Sequence, residues 1–198
     1  MFCLASPIKG GRDLEIFIHD PDWLVEPKLD GMRVGISNSG FGTILVNRKL
    51  QQLNTPPALE IPHTSLTHFL IDGELLGNVF YAFDIVYPRE HLIERKIILA
   101  ELIHELANPS IRMVPVAKTP DHKKQLIQTV RDMNGEGVVL KHGRSFYEHG
   151  RSNNWLKFKF YHSADLIVTE LMRMGKPQAV TLGWWKSSGP YQEACGCK

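Results

Sequence analysis

The sequence has few of the features that mark secreted, membrane-bound or strongly basic proteins. Its three cysteines, Cys3, Cys195 and Cys197, are too few for a disulfide framework, so we expect a reduced cytoplasmic protein. No apolar run approaches the roughly 18 residues that a membrane-spanning helix needs, and we expect no membrane association. The net charge is only +2, which excludes a global basic field but leaves room for a local basic groove.

The composition is that of a soluble globular protein. Hydrophobic residues make up 43% of the 198 residues and charged residues 22%, which is enough apolar material for a core. This length predicts one ordinary domain with, at most, a smaller appendage. We expect a monomer.

Hydrophobic periodicity predicts a strand-rich chain with two amphipathic helices. The helices are expected at 89–108 and 121–133, where apolar residues recur at helical spacing, and we interpret them as scaffold. Alternating or buried apolar runs predict strands, chiefly at 69–76, 80–86, 113–116 and 155–160.

The most informative stretch runs from Glu26 to Arg33, Glu-Pro-Lys-Leu-Asp-Gly-Met-Arg. If this segment is extended, Glu26, Lys28 and Asp30 share one face. A protonated lysine amine has no lone pair, and it becomes a nucleophile where desolvation and nearby cations favour the neutral form. The stretch therefore predicts either a nucleophilic lysine or a surface strand with solvated charges.

Three later segments also place charge beside apolar sequence. Asp72 and Glu74 interrupt a buried run, which is costly unless each carboxylate has a partner. Glu136 lies between two glycines that would let backbone approach a ligand closely. Lys157 and Lys159 alternate with apolar residues and therefore share one face of a strand. Taken singly, each segment also fits an ordinary structural role.

The stretch from Glu26 to Arg33 resembles motif I, Lys-x-Asp-Gly-x-Arg, of the covalent nucleotidyltransferases. That superfamily comprises ATP-dependent DNA ligases, RNA ligases and mRNA capping enzymes. The later segments follow in the order and rough spacing of its remaining motifs, over about residues 1–165. The amino-acid sequences of the first motif and of Glu136-Gly-Val-Val-Leu-Lys141 are most similar to the corresponding motifs of DNA ligases.

The resemblance implies a role for each matching residue. Lys28 would attack the α-phosphate of ATP and form a lysyl-AMP. Glu26 would contact the adenine amino group, Phe83 would stack on the purine and Glu74 would bind the ribose. Lys157 and Lys159 would contact the α-phosphate, and Arg33 would lie in the nucleotide site.

The resemblance also implies a metal and a nucleic acid. Glu136 would act on a divalent cation, Mg²⁺ or Mn²⁺. Arg48, together with Arg33 and Lys49, would contact the phosphates of nicked double-stranded DNA. The implied activity is ATP-dependent sealing of DNA nicks in repair, replication or recombination, in a bacterial or phage-infected cell. RNA ligation, GTP-dependent mRNA capping and an inactive nucleotide-binding fragment are the alternatives.

The fold that the resemblance implies is α+β, with two packed antiparallel β-sheets flanked by helices in an ATP-grasp-like arrangement. Residues 1–162 would form the adenylation domain. Residues 163–198 would form the truncated beginning of an OB-fold, with strands expected at 165–170 and 179–185. No basic segment like motif VI, which orients the leaving pyrophosphate in this family, is present, so we expect slow adenylation.

Overall fold

The computed structural model describes residues 2–8, 14–38, 42–61, 66, 68–87 and 89–160, and the backbone of strands at 167–172, 179–186 and 189–193. The chain divides into two compact units, Met1–Phe160 and Tyr161–Lys198. No helix in the described ranges has the length and apolar character needed to span a membrane.

The described residues of the first unit form two sheets and three helices. In chain order its strands are β1 (Cys3–Pro7), β2 (Trp23–Lys28), β3 (Met32–Asn38), β4 (Thr43–Asn47), β5 (Gln52–Leu53), β6 (Phe69–Leu76), β7 (Val79–Ile85), β8 (Ile111–Met113), β9 (Gly137–His142) and β10 (Gly150–Lys159). The helices are α1 (Leu14–His19), α2 (Leu92–Leu106) and α3 (Pro120–Asp132), with a 3-10 turn at Pro57–Leu59. This is the α+β class that the sequence predicts.

Each sheet has its own layer of core. One sheet has the order β1-β10-β9-β2, and the other has the order β5-β4-β3-β6-β7-β8. The apolar face of α2 packs on the six-stranded sheet, where Leu99 and Leu102 join a cluster with Ile71 and Phe80. Helices α1 and α3 cover the four-stranded sheet. The two sheets therefore have separate cores, and polar side chains are free to line the space between them.

The expectation of purely antiparallel sheets is wrong. Strand β1 pairs with β10 in parallel, and β7 pairs with β8 in parallel. Parallel neighbours need a crossover connection, and α2 supplies it between β7 and β8. Both sheets are consequently mixed.

Most of the predicted elements are present, with shifted boundaries. Helix α2 begins three residues after and ends two residues before its predicted span, and α3 is shifted by one residue at each end. Thr119 caps α3 by accepting from the His122 amide. The strand expected at 113–116 instead occupies Ile111–Met113. Helix α1 and strand β1 were not predicted, because both are short and have no clear periodicity.

The backbone of the second unit forms three antiparallel strands, β11 (Ile167–Met172), β12 (Ala179–Lys186) and β13 (Gly189–Glu193). Strand β11 overlaps the strand expected at 165–170 with a shift of two residues, and β12 extends one residue beyond the strand expected at 179–185. Their assignment to an OB-fold stays a prediction. Cys195 and Cys197 lie outside the described residues, whereas Cys3 is a buried free thiol.

Gly137 lets three strands approach one another. It has a φ of +148°, and a Cβ at this position would lie 2.1 Å from the carbonyl oxygen of Phe158. Its register partners are Lys28 on one side and Lys159 on the other. A side chain here would push β10 away from β9 and separate the two lysines.

We expect Gly137→Ala to lower the free energy of unfolding by about 2–5 kcal/mol, because the strained φ and the steric clash add. Gly77→Ala is the matched control, since Gly77 also has a positive φ (+57°) but a Cβ there would meet no atom within 4 Å. The control should cost about 1–2 kcal/mol. Urea unfolding of both variants measures the difference, and equal losses would contradict the steric argument.

Candidate active site

A cavity of about 320 Å³ lies between the two sheets. Its volume is at the lower end of the range for pockets that bind small molecules. The predicted residues that line it are Glu26, Lys28, Arg33, Arg48, Glu74, Phe83 and Lys157. Motifs that lie far apart in the sequence therefore meet in one place.

Strand register explains how Lys28 meets Glu136. Lys28 of β2 and Lys159 of β10 both lie opposite Gly137 of the intervening β9. Glu136 precedes that glycine, and its carboxylate pairs with the Lys28 ammonium and, at 2.7 Å, with Lys159 Nζ. The predicted nucleophile, metal ligand and one predicted phosphate contact form one ion-pair cluster.

Two positive charges keep Glu136 ionised. Burial acts to raise the pKa of this carboxyl, but hydrogen bonds and the charges of Lys159 and Lys28 outweigh it, and the net result is a lowered pKa. The Glu136 side chain is still 21% exposed, so it is accessible to solvent. A carboxylate that is ionised and accessible can exchange a lysine for another cation.

Glu26 is buried between two lysines. Its Oε2 lies 2.7 Å from Lys141 Nζ, and its Oε1 pairs with Lys96. Both ammonium groups also donate to the carbonyl oxygen of Phe83, at 2.5 Å from Lys96 and 3.1 Å from Lys141. The two residues that were predicted to recognise the base are thereby held by the same pair of cations.

Lys141 has the most strongly altered environment of this group. Burial lowers its pKa to about 8, with the Glu26 carboxylate opposing the shift and the Lys96 charge adding to it. Its Nζ lies 3.9 Å from the centroid of the Trp155 ring and 4.6 Å from that of Phe83. Cation–π contact with both rings partly replaces the water that burial removes.

Arg33 is engaged by a buried carboxylate. Its Nε and Nη2 donate to the two oxygens of Asp72, at 3.0 and 2.6 Å. Burial acts to lower the pKa of Arg33, but the Asp72 charge and hydrogen bonds raise it overall. Tyr147 donates its hydroxyl to Asp72 at 2.6 Å and accepts from the Cys3 amide. Because β3 and β6 belong to one sheet and Cys3 to the other, this network links the sheets.

Asp72 and Glu74, of which only Glu74 was expected to bind the nucleotide, have different environments. Asp72 is fully buried and is partnered by Arg33 and Tyr147, so it is a structural core carboxylate. Glu74 is partly buried and lines the cavity. Burial raises the pKa of Glu74. The positive charges of Arg33 and Lys28, and a hydrogen bond from the Gly31 backbone, oppose this rise.

Two of the expected positions differ in the structure. Asp30 lies beyond the end of β2, is exposed and does not line the cavity, so the shared face extends only over Glu26 and Lys28. Lys49 lines a second cavity of about 780 Å³ instead of the first, with Met32 and Leu50. Leu4, Arg33 and Arg48 line both cavities.

Sequence reasoning missed several residues at this site. They are Lys96, Lys141, Tyr147, Arg151 and Trp155. One signal was present: Arg95 and Lys96 interrupt a helix that otherwise buries leucines, and buried cations need anionic partners. Arg95 pairs with Asp84, and Lys96 pairs with Glu26. Helix α2 is therefore part of the site as well as scaffold.

We expect Tyr147→Phe to lower the free energy of unfolding by about 1–3 kcal/mol, because buried Asp72 loses a donor and the buried Cys3 amide loses its acceptor. Urea unfolding at neutral pH measures this effect. Phe146→Leu, at a neighbouring side chain that is 50% exposed, is the control and should change stability little. Equal stability of Tyr147→Phe and the wild type would show that the hydroxyl does not support the network.

The lowered pKa of Glu136 predicts a specific acid sensitivity. Its ionised form is favoured by folding, so its stabilising contribution is complete above the ordinary pKa of 4.5 and is lost as the pH falls below it. Glu136→Gln should be less stable than the wild type at pH 7, and this difference should shrink as the pH falls toward about 3.

Denaturant unfolding across this pH range measures that difference. Glu101→Gln, on the exposed side of α2, is the matched control and should show no such trend. A difference between Glu136→Gln and the wild type that stays constant with pH would contradict the predicted linkage.

Comparison with known proteins agrees with this geometry. The model of the ATP dependent DNA ligase domain matches residues 76–159. The DNA ligase of Haemophilus influenzae is 34% identical over 174 residues, which cover 74% of this chain and 61% of that protein. A DNA ligase of Pyrobaculum arsenaticum is 31% identical over 121 residues, covering 57% of this chain and 21% of the archaeal protein. The chain thus spans about three fifths of the length of the Haemophilus influenzae protein and about one fifth of the length of the Pyrobaculum arsenaticum protein.

Solved structures share the fold. A structure from a study of Lig E DNA ligases superimposes with a TM-score of 0.71 at 21% identity, covering 97% of this chain and 82% of the other. The ATP-dependent DNA ligase of bacteriophage T7, in complex with ATP, gives a TM-score of 0.60 at 14% identity, over 97% of this chain and 80% of the phage enzyme. On the combined strength of the domain match, the curated relatives and the residues gathered around Lys28, the chain is similar to the ATP-dependent DNA ligases.

Proposed function

We propose that this chain acts as an ATP-dependent DNA ligase in which Lys28 is the adenylated nucleophile. The observation that carries the proposal is the ion-pair cluster of Lys28, Glu136 and Lys159, in which Lys28 lines the same cavity as Glu74 and Phe83. Together these side chains offer a nucleophile, neutralising charge, an acceptor for hydroxyl groups and an aromatic ring for a base.

In the first step the neutral amine of Lys28 attacks the α-phosphorus of ATP. A nitrogen–phosphorus bond forms, the bond to the bridging oxygen breaks and pyrophosphate leaves. Lys157, which lines the cavity two residues before Lys159, supplies positive charge where negative charge develops. Lys28 is paired with Glu136 in the free protein, so it has to leave that carboxylate before it can attack.

Glu26 and Phe83 support recognition of the base. Lys96 and Lys141 hold the Glu26 carboxylate and the Phe83 carbonyl together, which sets the distance between a hydrogen-bond acceptor and an aromatic ring. Adenine offers an amino group to the former and a flat face to the latter. Such preorganisation lowers the entropic cost of orienting the nucleotide.

The donor set at Glu136 fits a Mg²⁺ or Mn²⁺ ion that takes most of its ligands from phosphates and water. Among the described residues there is no group of three or more His, Cys, Asp or Glu that could hold a metal without substrate. Such an ion neutralises the charge of the transferring phosphoryl group when it is bound. The chain's own contribution is the ionised Glu136 carboxylate.

The later steps would use DNA. AMP passes from Lys28 to the 5′-phosphate of a nick, and the 3′-hydroxyl then attacks that phosphate and releases AMP. Arg48 and Lys49 support this part of the proposal, because both are exposed and Arg48 lines both cavities. Monomeric state and cytoplasmic location stay predictions.

Incubation with α-labelled ATP and Mg²⁺ tests the first step. Label should survive denaturation, be abolished by Lys28→Ala and by EDTA, and persist in Lys118→Ala, an exposed lysine outside the cavity. Label from GTP instead of ATP would favour a capping enzyme. Absence of label from both nucleotides would contradict the nucleophile assignment.

Pre-adenylated nicked duplexes test the later steps separately from adenylation. Sealing of a DNA nick supports the ligase assignment, whereas sealing confined to an RNA nick would favour an RNA ligase. Failure to seal either duplex would favour a nucleotide-binding protein without ligase activity.

A further inference from the structure

We propose that Lys96, on helix α2, is a specificity-determining residue that selects nucleotides with a 6-amino group by fixing the orientation of Glu26. The inference rests on the proposed function, because it concerns how the base of the nucleotide is chosen. Lys96 is not among the described residues that line the cavity, so it is a positioning residue that acts through the Glu26 carboxylate.

The environment of Lys96 is unusual for a lysine. Its side chain is only 9% exposed and lies on the buried face of α2, together with Leu92 and Leu99. Lysine is rarely buried unless it is paired, because removing its charge from water is costly. The Lys96 ammonium pairs with Glu26 and donates to the carbonyl oxygen of Phe83. Its charge is therefore compensated by the two residues that are expected to recognise the base.

Each oxygen of Glu26 meets a different lysine. Oε1 pairs with Lys96, whereas Oε2 lies 2.7 Å from Lys141 Nζ. The terminal torsion of a glutamate side chain has a broad energy minimum, so a single cation would hold one oxygen and leave the carboxylate plane free to turn. Two cations, one at each oxygen, define this plane. The remaining lone pairs of the carboxylate therefore have a fixed direction.

The two lysines are not equivalent. Lys141 lines the cavity, and its ammonium also contacts the rings of Phe83 and Trp155. Replacing Lys141 would alter the wall against which the base lies. Lys96 reaches Glu26 from outside the cavity, so a change at Lys96 separates the orientation of the carboxylate from the lining of the cavity.

A fixed carboxylate discriminates at position 6 of a purine. An ionised carboxylate only accepts hydrogen bonds, and the 6-amino group of adenine donates them. A 6-oxo group would place one acceptor against another, and a hydrogen at this position would offer no donor. Hydrogen bonds weaken steeply as they depart from linear geometry, so the discrimination depends on the direction that Lys96 helps to set.

Binding of nucleoside monophosphates to the whole chain tests the proposal. Monophosphates have no pyrophosphate to release, so Lys28 cannot react with them. The probes are AMP, IMP, which has a 6-oxo group, and purine riboside 5′-monophosphate, which has a hydrogen at position 6. Selectivity is a ratio of two affinities within one variant, so it does not depend on the fraction of that variant that is folded.

Two variants and one control are compared with the wild type. Lys96→Met removes the charge and keeps a side chain of similar length, and Lys96→Arg keeps the charge. Lys123→Met is the matched control, because Lys123 is also a buried lysine that donates to backbone carbonyl oxygens, those of Phe17 and Asp20. Lys123 does not line the cavity.

The wild type should prefer AMP over both analogues by about tenfold or more, as is typical of a hydrogen bond to a charged group. In Lys96→Met this preference should fall to about threefold or less, because the affinity for AMP decreases while that for the purine riboside probe stays within about twofold. Lys96→Arg should retain most of the preference, and Lys123→Met should retain all of it.

A wild type that prefers AMP, with the full preference retained in Lys96→Met, would overturn the inference alone. Loss of the preference in Lys123→Met as well would also overturn it, since any buried lysine would then have the same effect. Equal wild-type binding of the three probes would overturn it together with the role of Glu26 in base recognition.

Failure of the proposed function gives a different result. A wild-type chain that binds none of the probes would overturn this inference together with the proposed function. If the wild type shows the preference and Lys96→Met loses it, but ATP does not label Lys28, the proposed function fails and the inference stands.

Discussion

The site depends on one buried carboxylate, that of Glu26. Removing Glu26 and two lysines from water is costly, and it is tolerated because each charge meets an opposite charge or an oriented carbonyl. The cluster connects elements that are distant in the chain, since Glu26 lies on β2, Lys141 on β9, Lys96 on α2 and Phe83 on β7. It therefore sets the separation of the two sheets at the point where the cavity lies between them.

A second link between the sheets has the same character. Asp72 binds Arg33 on the adjacent strand and Tyr147 from the loop before β10, and Tyr147 accepts from the Cys3 amide of β1. Half-satisfied networks of this kind destabilise a protein, whereas fully satisfied ones specify a single arrangement. The cavity thus has rigid polar walls, which suits chemistry that relies on positioning and electrostatics.

The cationic residues of the cavity fall into two groups with different functions. Those with carboxylate partners, such as Lys141, maintain the shape of the site. Those for which the described residues include no carboxylate partner, such as Arg48, leave positive charge available for an anionic ligand. Lys28 belongs to the first group but differs from Lys141, because its partner Glu136 is partly exposed and is suited to exchange the lysine for a metal ion. The same residue type therefore has structural and chemical roles, and the difference lies in burial and partners.

The sequence by itself determined most of the residues that meet at the candidate site. Lys28 follows an apolar strand, Glu136 adjoins Gly137, and Lys157 and Lys159 alternate with apolar side chains, all of which are local patterns. The two long helices were also predictable, since their periodicity extends over several turns. These features depend on neighbours within a few residues, and such information is present in the chain itself.

Tertiary structure alone decided which charge meets which. Several features of the site depend on how distant segments pack together. They are the different environments of Asp72 and Glu74, the displacement of Asp30 from the shared face, the participation of Lys96 and the place of Arg151 beside Leu4. The parallel pairings of β1 with β10 and of β7 with β8 have the same origin. Long-range register and desolvation are properties of the packed molecule, because they exist only once both sheets have formed and excluded water from the space between them.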